Sequence, residues 1–231
     1  SPRHNVSGSR EHGGSGDPID LTQADFTEHN WAEITSGSMV GVGAMDKVMQ
    51  QFRNRHGDVH FFADTANYVG MSAQGFNENG MPKRFRCNRV EHLPEACCFI
   101  PVLLSGHWVI AVLQLGGQTL RGWILNSLPD QAMETYTAAA HWVEKELGAA
   151  GNIAWAHIPC RRQREVECGC RVVLATLICC EGIKMGYEIG QCLQWCRDGG
   201  NWGLEELPQA ARRLTRGIIL GNDDCWSLER A

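Results

Sequence analysis

The sequence predicts an α+β fold, in which helices precede and follow a cluster of β-strands. Apolar segments of strand length occupy the centre of the chain, and the pairs Ser105-Gly106 and Gly116-Gly117 separate them as tight hairpin turns. Segments with helical spacing, or with the length of a buried helix, lie on both sides. The predicted strands are 97–104, 107–115, 118–128 and 152–160, a short strand opens the segment 58–70, and the predicted helices are 44–57, 130–151, 168–186 and 204–220.

Length and composition indicate one domain. A chain of 231 residues with 43% hydrophobic content can bury one substantial core, so we expect a single domain over 19–231. Residues 1–18 are rich in glycine, serine and charge, and we expect a disordered arm or linker there. The formal net charge of −5 argues against a nucleic-acid partner. No apolar run reaches the ~18–20 residues of a membrane span, so we expect no membrane contact. We also expect a monomer.

The cysteines indicate a reducing environment. There are 11, an odd number, and several are neighbours on apolar segments, as in Cys97-Cys98 and Cys179-Cys180. This pattern is typical of small buried hydrophobic residues rather than of a disulfide framework. Because the sequence also shows no charged-then-apolar leader, we expect an intracellular location. That location is the cytoplasm or nucleus, or the host-cell cytoplasm for a protein of a virus or pathogen.

Three polar residues stand at the ends of predicted elements. His107 begins a strand, Asn126 ends the next strand, and Cys168 begins a buried helix. In an antiparallel hairpin the start of one strand and the end of the next lie at the same edge of the sheet, so we expect His107 beside Asn126. If the helix N-terminus reaches this edge, the three residues form a Cys–His–Asn set.

Such a set has the chemistry of nucleophilic catalysis. The thiolate is the reactive form of cysteine, and a helix N-terminus and a neighbouring imidazolium both favour it, so we expect a lowered pKa for Cys168. The amide of Asn126 would orient the imidazole of His107. Gln163, five residues before Cys168, carries a side-chain N–H that can stabilise a developing oxyanion.

The order of these motifs resembles that of the ubiquitin-like-protein-specific cysteine proteases, which include the SUMO proteases and their adenovirus-protease relatives. That family carries a hydrophobic-Pro pair, then His-Trp, then Asp-Ser-Leu, and then a Gln shortly before Asp-Cys-Gly. The matching residues here are Ile100-Pro101, His107-Trp108, Asn126-Ser127-Leu128, Gln163 and Glu167-Cys168-Gly169.

The resemblance implies a papain-like cysteine protease core of the SUMO protease type, with a central mixed sheet flanked by helices. It implies hydrolysis of a peptide or isopeptide bond at the C-terminus of a ubiquitin-like modifier, as SUMO proteases and deubiquitinases perform. Cys168 would be the nucleophile, His107 the general base, Asn126 the orienting residue and Gln163 the oxyanion donor, while Trp108 would cover the channel for the substrate tail. The implied partner is a ubiquitin-like protein or its conjugate, and no metal or organic cofactor is implied.

Departures from the family pattern leave alternatives open. Asn126 stands where the family has Asp, so Asp130 is an alternative orienting residue, and Cys170 is an alternative nucleophile. The upstream segment lacks the Trp-Leu-x-Asp motif that contacts the modifier, which leaves the modifier open. Two rival functions remain: an acetyltransferase on the same fold, with the basic segment 161–165 facing coenzyme A phosphates, and a module that binds a modifier without cleaving it.

Overall fold

The computed structural model describes residues 39–63, 96–114, 120–128, 132–147, 151–163, 167–198 and 206–226. The predicted arm at 1–18, the Gly116-Gly117 turn and Asp130 lie outside the described residues. Within the described ranges, no helix is both long enough and apolar enough to cross a membrane.

The described residues form five β-strands and five α-helices, followed by one turn of 3₁₀-helix, and the α+β prediction is confirmed. The predicted strands and helices are present, with ends that differ by a few residues. In chain order the elements are α1 (Val42–His56), β1 (Phe61–Phe62), β2 (Cys97–Leu104), β3 (His107–Gln114), β4 (Leu120–Asn126), α2 (Ala132–Leu147), β5 (Ile153–Pro159), α3 (Cys168–Lys184), α4 (Ile189–Asp198), α5 (Leu207–Ile219) and the 3₁₀-helix Asp223–Trp226.

The strands form one mixed sheet in the order β1-β2-β3-β4-β5. The central strands β2, β3 and β4 are antiparallel neighbours, whereas β1 and β5 run parallel to β2 and β4. The turn between β2 and β3 is the predicted two-residue turn, with φ of 47° at Ser105 and 81° at Gly106. Positive φ at both positions gives the turn the twist that an antiparallel hairpin requires. It also fixes where β3 begins, at His107.

Both faces of the central strands β2 and β3 are buried, because helices cover each face of the sheet. On one face, α1, α3 and α4 pack against alternate strand residues, and α5 packs on α1 and α3. On the other face, α2 packs against the intervening residues. The first set of strand residues includes Phe99, Trp108, Ile110, Val112 and Leu125, and the second includes Ile100, Val109, Ala111, Leu113 and Ile124.

Helix α3 is the central helix of the larger layer. It is buried along almost its whole length, from Cys168 to Gly182, which explains its apolar sequence on all sides. Ten cysteines lie among the described residues; all ten are free thiols, and eight are buried. The buried cysteines other than Cys168 pack as small apolar residues of the core, as their positions on apolar segments predict.

Candidate active site

His107 and Asn126 meet at one edge of the sheet, where β3 begins and β4 ends. The register pairs Ile110 with Leu125, so Asn126 continues opposite Val109 and lies diagonally from His107 on the same face. His107 Nε2 and Asn126 Oδ1 are 2.7 Å apart, and both side chains are buried. The hairpin brings these two residues together.

The backbone of Leu128 fixes the orientation of the Asn126 amide. Leu128 N–H donates to Asn126 Oδ1 at 2.9 Å, and Asn126 Nδ2 donates to the Leu128 carbonyl oxygen at 3.2 Å. A backbone N–H can only donate and a carbonyl can only accept, so the amide cannot be flipped. Asn126 therefore presents an oxygen to His107 Nε2, and that nitrogen must carry the proton. In the neutral imidazole, Nδ1 is then left with a lone pair and can act as a base.

Cys168 is the first residue of α3, and its thiol lies at the same end of β3. The backbone N–H groups of Trp108, Gly169 and Cys168 lie near its sulfur and favour the thiolate form. Trp108 directly follows His107 in the chain, so the contact places the thiol beside the first residues of β3. The residue is only 3% exposed. All three predicted residues thus lie where the edge of the sheet meets the N-terminus of α3.

The pKa of the Cys168 thiol moves in the direction opposite to the sequence-based expectation. Burial raises it and is the largest effect; the three backbone N–H groups lower it, and the charge of Glu167 raises it further. Burial also lowers the pKa of His107, while the hydrogen bond to Asn126 acts in the opposite direction. The prediction of a lowered thiol pKa is wrong because desolvation outweighs the helix N-terminus. The resting site holds a neutral thiol and a neutral imidazole.

Gln163 is tied to the end of β4. Its backbone N–H donates to the Ser127 carbonyl oxygen at 3.0 Å, and the Ser127 hydroxyl donates to Gln163 Oε1 at 2.7 Å. One step earlier, Cys160 N–H donates to the Asn126 carbonyl oxygen at 2.8 Å. The segment after β5 therefore runs alongside the residues that follow β4. Since Oε1 is occupied by Ser127, the Nε2 group is the donor end of the Gln163 side chain.

Trp108 packs underneath the start of α3. It is 1% exposed, and its Nε1 donates to the Val40 carbonyl oxygen at 2.7 Å. A Cβ atom at Gly169 would lie 2.6 Å from Val40 Cβ and 3.1 Å from Trp108 Cδ1. The close approach of helix to strand therefore requires glycine after the cysteine. Contact of Trp108 with a substrate tail stays a prediction.

A cavity of about 30 Å³ lies behind the cysteine. Its walls include Trp108, Leu125, Cys168 and Arg171. The cavity therefore has room for solvent beside the sulfur.

The alternative nucleophile Cys170 faces away from this edge. It is fully buried and forms a hydrogen bond with the Thr215 side chain of α5. It therefore belongs to the interface between α3 and α5. In the part of the chain that the structure describes, no three histidine, cysteine or acidic side chains are grouped so as to hold a metal ion.

Sequence reasoning missed two contributors to the site. The first is the Leu128 backbone, which locks Asn126. The second is the ion pair of Arg171 with Glu167, which adjoins Cys168. The only sequence signal for that pair is its i,i+4 spacing, which is common on exposed helix surfaces.

Comparisons with known proteins bear on this fold. No protein-family model matches the sequence, and no curated protein matches it. The C-terminal protease domain of Ulp1, solved in complex with Smt3, the yeast ortholog of SUMO, is similar with a TM-score of 0.52 and 13% identity; the match covers 84% of this chain and 82% of that one.

Two structures of XopD from Xanthomonas are also similar. One is a mutant with a cysteine replaced by alanine, with a TM-score of 0.53 and 13% identity over 80% of this chain and 99% of that one. The other is the Xanthomonas campestris effector bound to ubiquitin, with a TM-score of 0.50 and 15% identity over 80% of this chain and 91% of that one. The chain has the α+β fold of the Ulp1-like SUMO proteases, as the order of its motifs predicts.

Proposed function

We propose that this protein is a cysteine protease that hydrolyses a peptide or isopeptide bond at the C-terminus of a ubiquitin-like modifier. The observation that carries the proposal is the bond of 2.7 Å between His107 and an Asn126 amide that cannot flip. It leaves the basic lone pair on His107 Nδ1 at the edge where the Cys168 thiol lies. The fold of SUMO proteases supports the same reaction.

In the first half of the reaction, His107 Nδ1 takes the thiol proton and Cys168 Sγ attacks the scissile carbonyl carbon. The resulting oxyanion accepts hydrogen bonds from the Cys168 backbone N–H and from Gln163 Nε2. The C–N bond then breaks, and the imidazolium gives its Nδ1 proton to the leaving amine. A thioester between Cys168 and the modifier remains.

In the second half, His107 Nδ1 accepts a proton from water, and the hydroxide formed attacks the thioester carbonyl. The C–S bond breaks, the thiolate regains the proton from the imidazolium, and the modifier leaves as a carboxylic acid that loses its proton to solvent. Asn126 holds the ring in one orientation and one tautomer throughout. It stays neutral and stabilises the imidazolium through its amide dipole rather than a charge.

The burial of the thiol bears on the class of substrate. Because Cys168 is 3% exposed, a substrate must reach it as a slender chain. An extended tail of small residues such as Gly-Gly satisfies this requirement. A folded segment, or a tail with large side chains, does not. The complexes of Ulp1 with Smt3 and of XopD with ubiquitin make SUMO and ubiquitin the first modifiers to test. The ten free thiols support a reducing compartment, such as cytoplasm or nucleus.

A cleavage assay tests the proposal. Precursors of SUMO and of ubiquitin, each with a C-terminal extension, are incubated with the wild type, Cys168→Ala and Cys170→Ala. We expect cleavage after the modifier tail by the wild type and by Cys170→Ala, because Cys170 faces Thr215 instead of the site. Cys168→Ala should be inactive. Cleavage that survives in Cys168→Ala, or no cleavage of either precursor by the wild type, would contradict the proposal.

A second candidate function is binding of a modifier without cleavage. The observation that favours it is the burial of Cys168, which raises the pKa of the thiol and keeps it protonated at neutral pH. Iodoacetamide separates the two functions. A protease requires Cys168 to react faster at neutral pH than a buried thiol such as Cys170. A binder requires equal rates for both thiols, together with saturable binding of intact SUMO or ubiquitin.

A further inference from the structure

The first turn of α3 contains a buried ion pair that the mechanism above does not use. Glu167 directly precedes Cys168, and its side chain is fully buried. Its Oε2 accepts a hydrogen bond from Arg171 Nε at 2.8 Å. The Arg171 side chain is itself only 11% exposed. Because a buried carboxylate is strongly unfavourable without a partner, the position of Glu167 depends on Arg171.

Arg171 makes a second contact outside its own helix. Its Nη1 donates to the Arg161 carbonyl oxygen at 2.9 Å. Arg161 lies two residues before Gln163, in the segment that follows β5. One guanidinium therefore bridges the residue before the nucleophile and the segment that carries the proposed oxyanion donor.

The geometry of the bridge requires arginine. A guanidinium is planar and directs donors from separate nitrogens, so Nε can bind the carboxylate while Nη1 binds the carbonyl. A lysine has a single ammonium at the end of a flexible stem and cannot hold both acceptors in the same arrangement. Arg171 also lines the cavity behind Cys168, so it borders the site from within the protein.

We propose that Arg171 is a positioning residue, which holds the Gln163 segment at a fixed place relative to Cys168 through its simultaneous contacts with Glu167 and the Arg161 carbonyl. The inference rests on the proposed function, since it assigns Gln163 to the oxyanion. Arg171 itself does not touch the substrate. Arg171 also neutralises Glu167, whose charge raises the pKa of the adjacent thiol.

Two variants separate the bridge from the charge. Arg171→Lys keeps a cation beside Glu167 but loses the contact with the Arg161 carbonyl. The double variant Glu167→Gln with Arg171→Met removes both charges of the pair. Because it leaves no buried carboxylate unpaired, it should stay folded. Arg197→Lys is the matched control, because the Arg197 side chain is 55% exposed and pairs with the neighbouring Asp198.

Three readouts are measured for each variant. The first is turnover of SUMO and ubiquitin carrying a C-terminal aminocoumarin, separated into kcat and KM. The second is the rate at which iodoacetamide alkylates Cys168, which needs the thiol but no oxyanion donor. The third is hydrogen exchange of the amides of 161–163, which reports the tether without any substrate.

We expect kcat to fall roughly tenfold to a hundredfold in Arg171→Lys and in the double variant, somewhat less than the loss seen when an oxyanion donor is deleted. KM and the alkylation rate should stay within about twofold, and exchange at 161–163 should accelerate. Arg197→Lys should match the wild type in all three. Unchanged kcat and unchanged exchange in Arg171→Lys would overturn the inference, as would equal losses of kcat and alkylation.

The exchange measurement keeps the two proposals distinguishable. A wild type that turns over neither probe contradicts the proposed function, whatever the variants do. Exchange at 161–163 that is equally slow in the wild type and in Arg171→Lys contradicts the positioning role, whether or not the protein is active.

Discussion

His107 Nε2 and Asn126 Oδ1 lie 2.7 Å apart, and the two backbone groups of Leu128 hold the Asn126 amide from the other side. The orientation of the imidazole is therefore set by the polypeptide backbone and not by a charge. This difference from a carboxylate partner has consequences for rate and for pH dependence.

Replacing His107 should cost more activity than replacing Asn126. His107→Ala removes the base, and general acid–base catalysis contributes roughly 10²–10⁴ in rate. Asn126→Ala removes only the orienting group, so we expect a loss smaller by about tenfold. Cleavage of modifier precursors at a fixed pH measures both losses. Equal losses would contradict the assigned roles.

Asn126→Asp should change the pH dependence of the thiol. A carboxylate in contact with Nε2 favours the imidazolium, so the pKa of His107 should rise and that of Cys168 should fall. In the wild type, burial raises the thiol pKa, and alkylation should accelerate only as pH rises above neutral. In Asn126→Asp the rate of Cys168 alkylation should already be high at neutral pH.

The measurement is the rate of Cys168 alkylation by iodoacetamide between about pH 5 and pH 10, with thermal unfolding as control. The control matters because the second carboxylate oxygen would face the Leu128 carbonyl, where the wild type has a donor. A profile for Asn126→Asp that superimposes on the wild type, in a folded protein, would show that the residue does not govern the imidazole.

Gly169→Ala should displace the start of α3. The added Cβ would lie 2.6 Å from Val40 Cβ, which is closer than side-chain carbons approach, so either α3 or the segment around Val40 must shift. Overpacking of this kind costs about 1–3 kcal/mol of unfolding free energy. Gly190→Ala is the control, because nothing lies within 4 Å of its Cβ position. Gly169→Ala should lower the free energy of unfolding, measured by chemical denaturation, and change the rate of Cys168 alkylation, whereas Gly190→Ala, which lies in a helix, should leave alkylation unchanged and should not destabilise the fold.

Acid should destabilise the fold through His60. Burial, and next the charge of His56, lower the pKa of His60 to about 4, and its Nδ1 accepts a hydrogen bond from Cys97 N–H at 3.3 Å. The unfolded chain takes up the proton near pH 6.5, and the folded protein only near pH 4. The contribution of His60 to the free energy of unfolding is therefore full above pH 6.5 and falls between pH 6.5 and about 4. Below that pH it changes no further.

Acidification should lower the free energy of unfolding through His60 by on the order of 3 kcal/mol. Urea unfolding at several pH values measures it. His60→Gln keeps an acceptor but no titrating group, so its stability should depend less on pH than that of the wild type. His56, whose pKa burial also lowers to about 4, contributes to the remaining dependence, as do His107 and His157, whose pKa values burial also lowers. The exposed His141 is the control, and an identical acid slope in His60→Gln and His141→Gln would contradict the prediction.

The sequence allowed prediction of those features that depend on local pattern. The Ser105-Gly106 turn fixes the start of β3, and antiparallel pairing then brings His107 to Asn126 without knowledge of any other contact. The helix that begins at Cys168 follows from its length and apolar density. These features need only turn chemistry and periodicity.

Features that depend on distant contacts escaped prediction. Ser127 and Gln163 are 36 residues apart, and nothing local indicates their hydrogen bond. Arg171 and Glu167 have the spacing of an ordinary surface pair, and only the packing of α3 shows that they are buried. The direction of the Cys168 pKa was wrong for the same reason, because desolvation is a property of the assembled core.

Labelling by a modifier electrophile identifies the nucleophile and the modifier in one experiment. SUMO and ubiquitin, each carrying a C-terminal vinyl sulfone, are incubated with the wild type, Cys168→Ala and Cys170→Ala, and the products are read by intact mass. We predict one adduct on the wild type and on Cys170→Ala, located at Cys168 by peptide mapping, and none on Cys168→Ala. An adduct that persists in Cys168→Ala, or no adduct on the wild type with either modifier, would contradict this prediction.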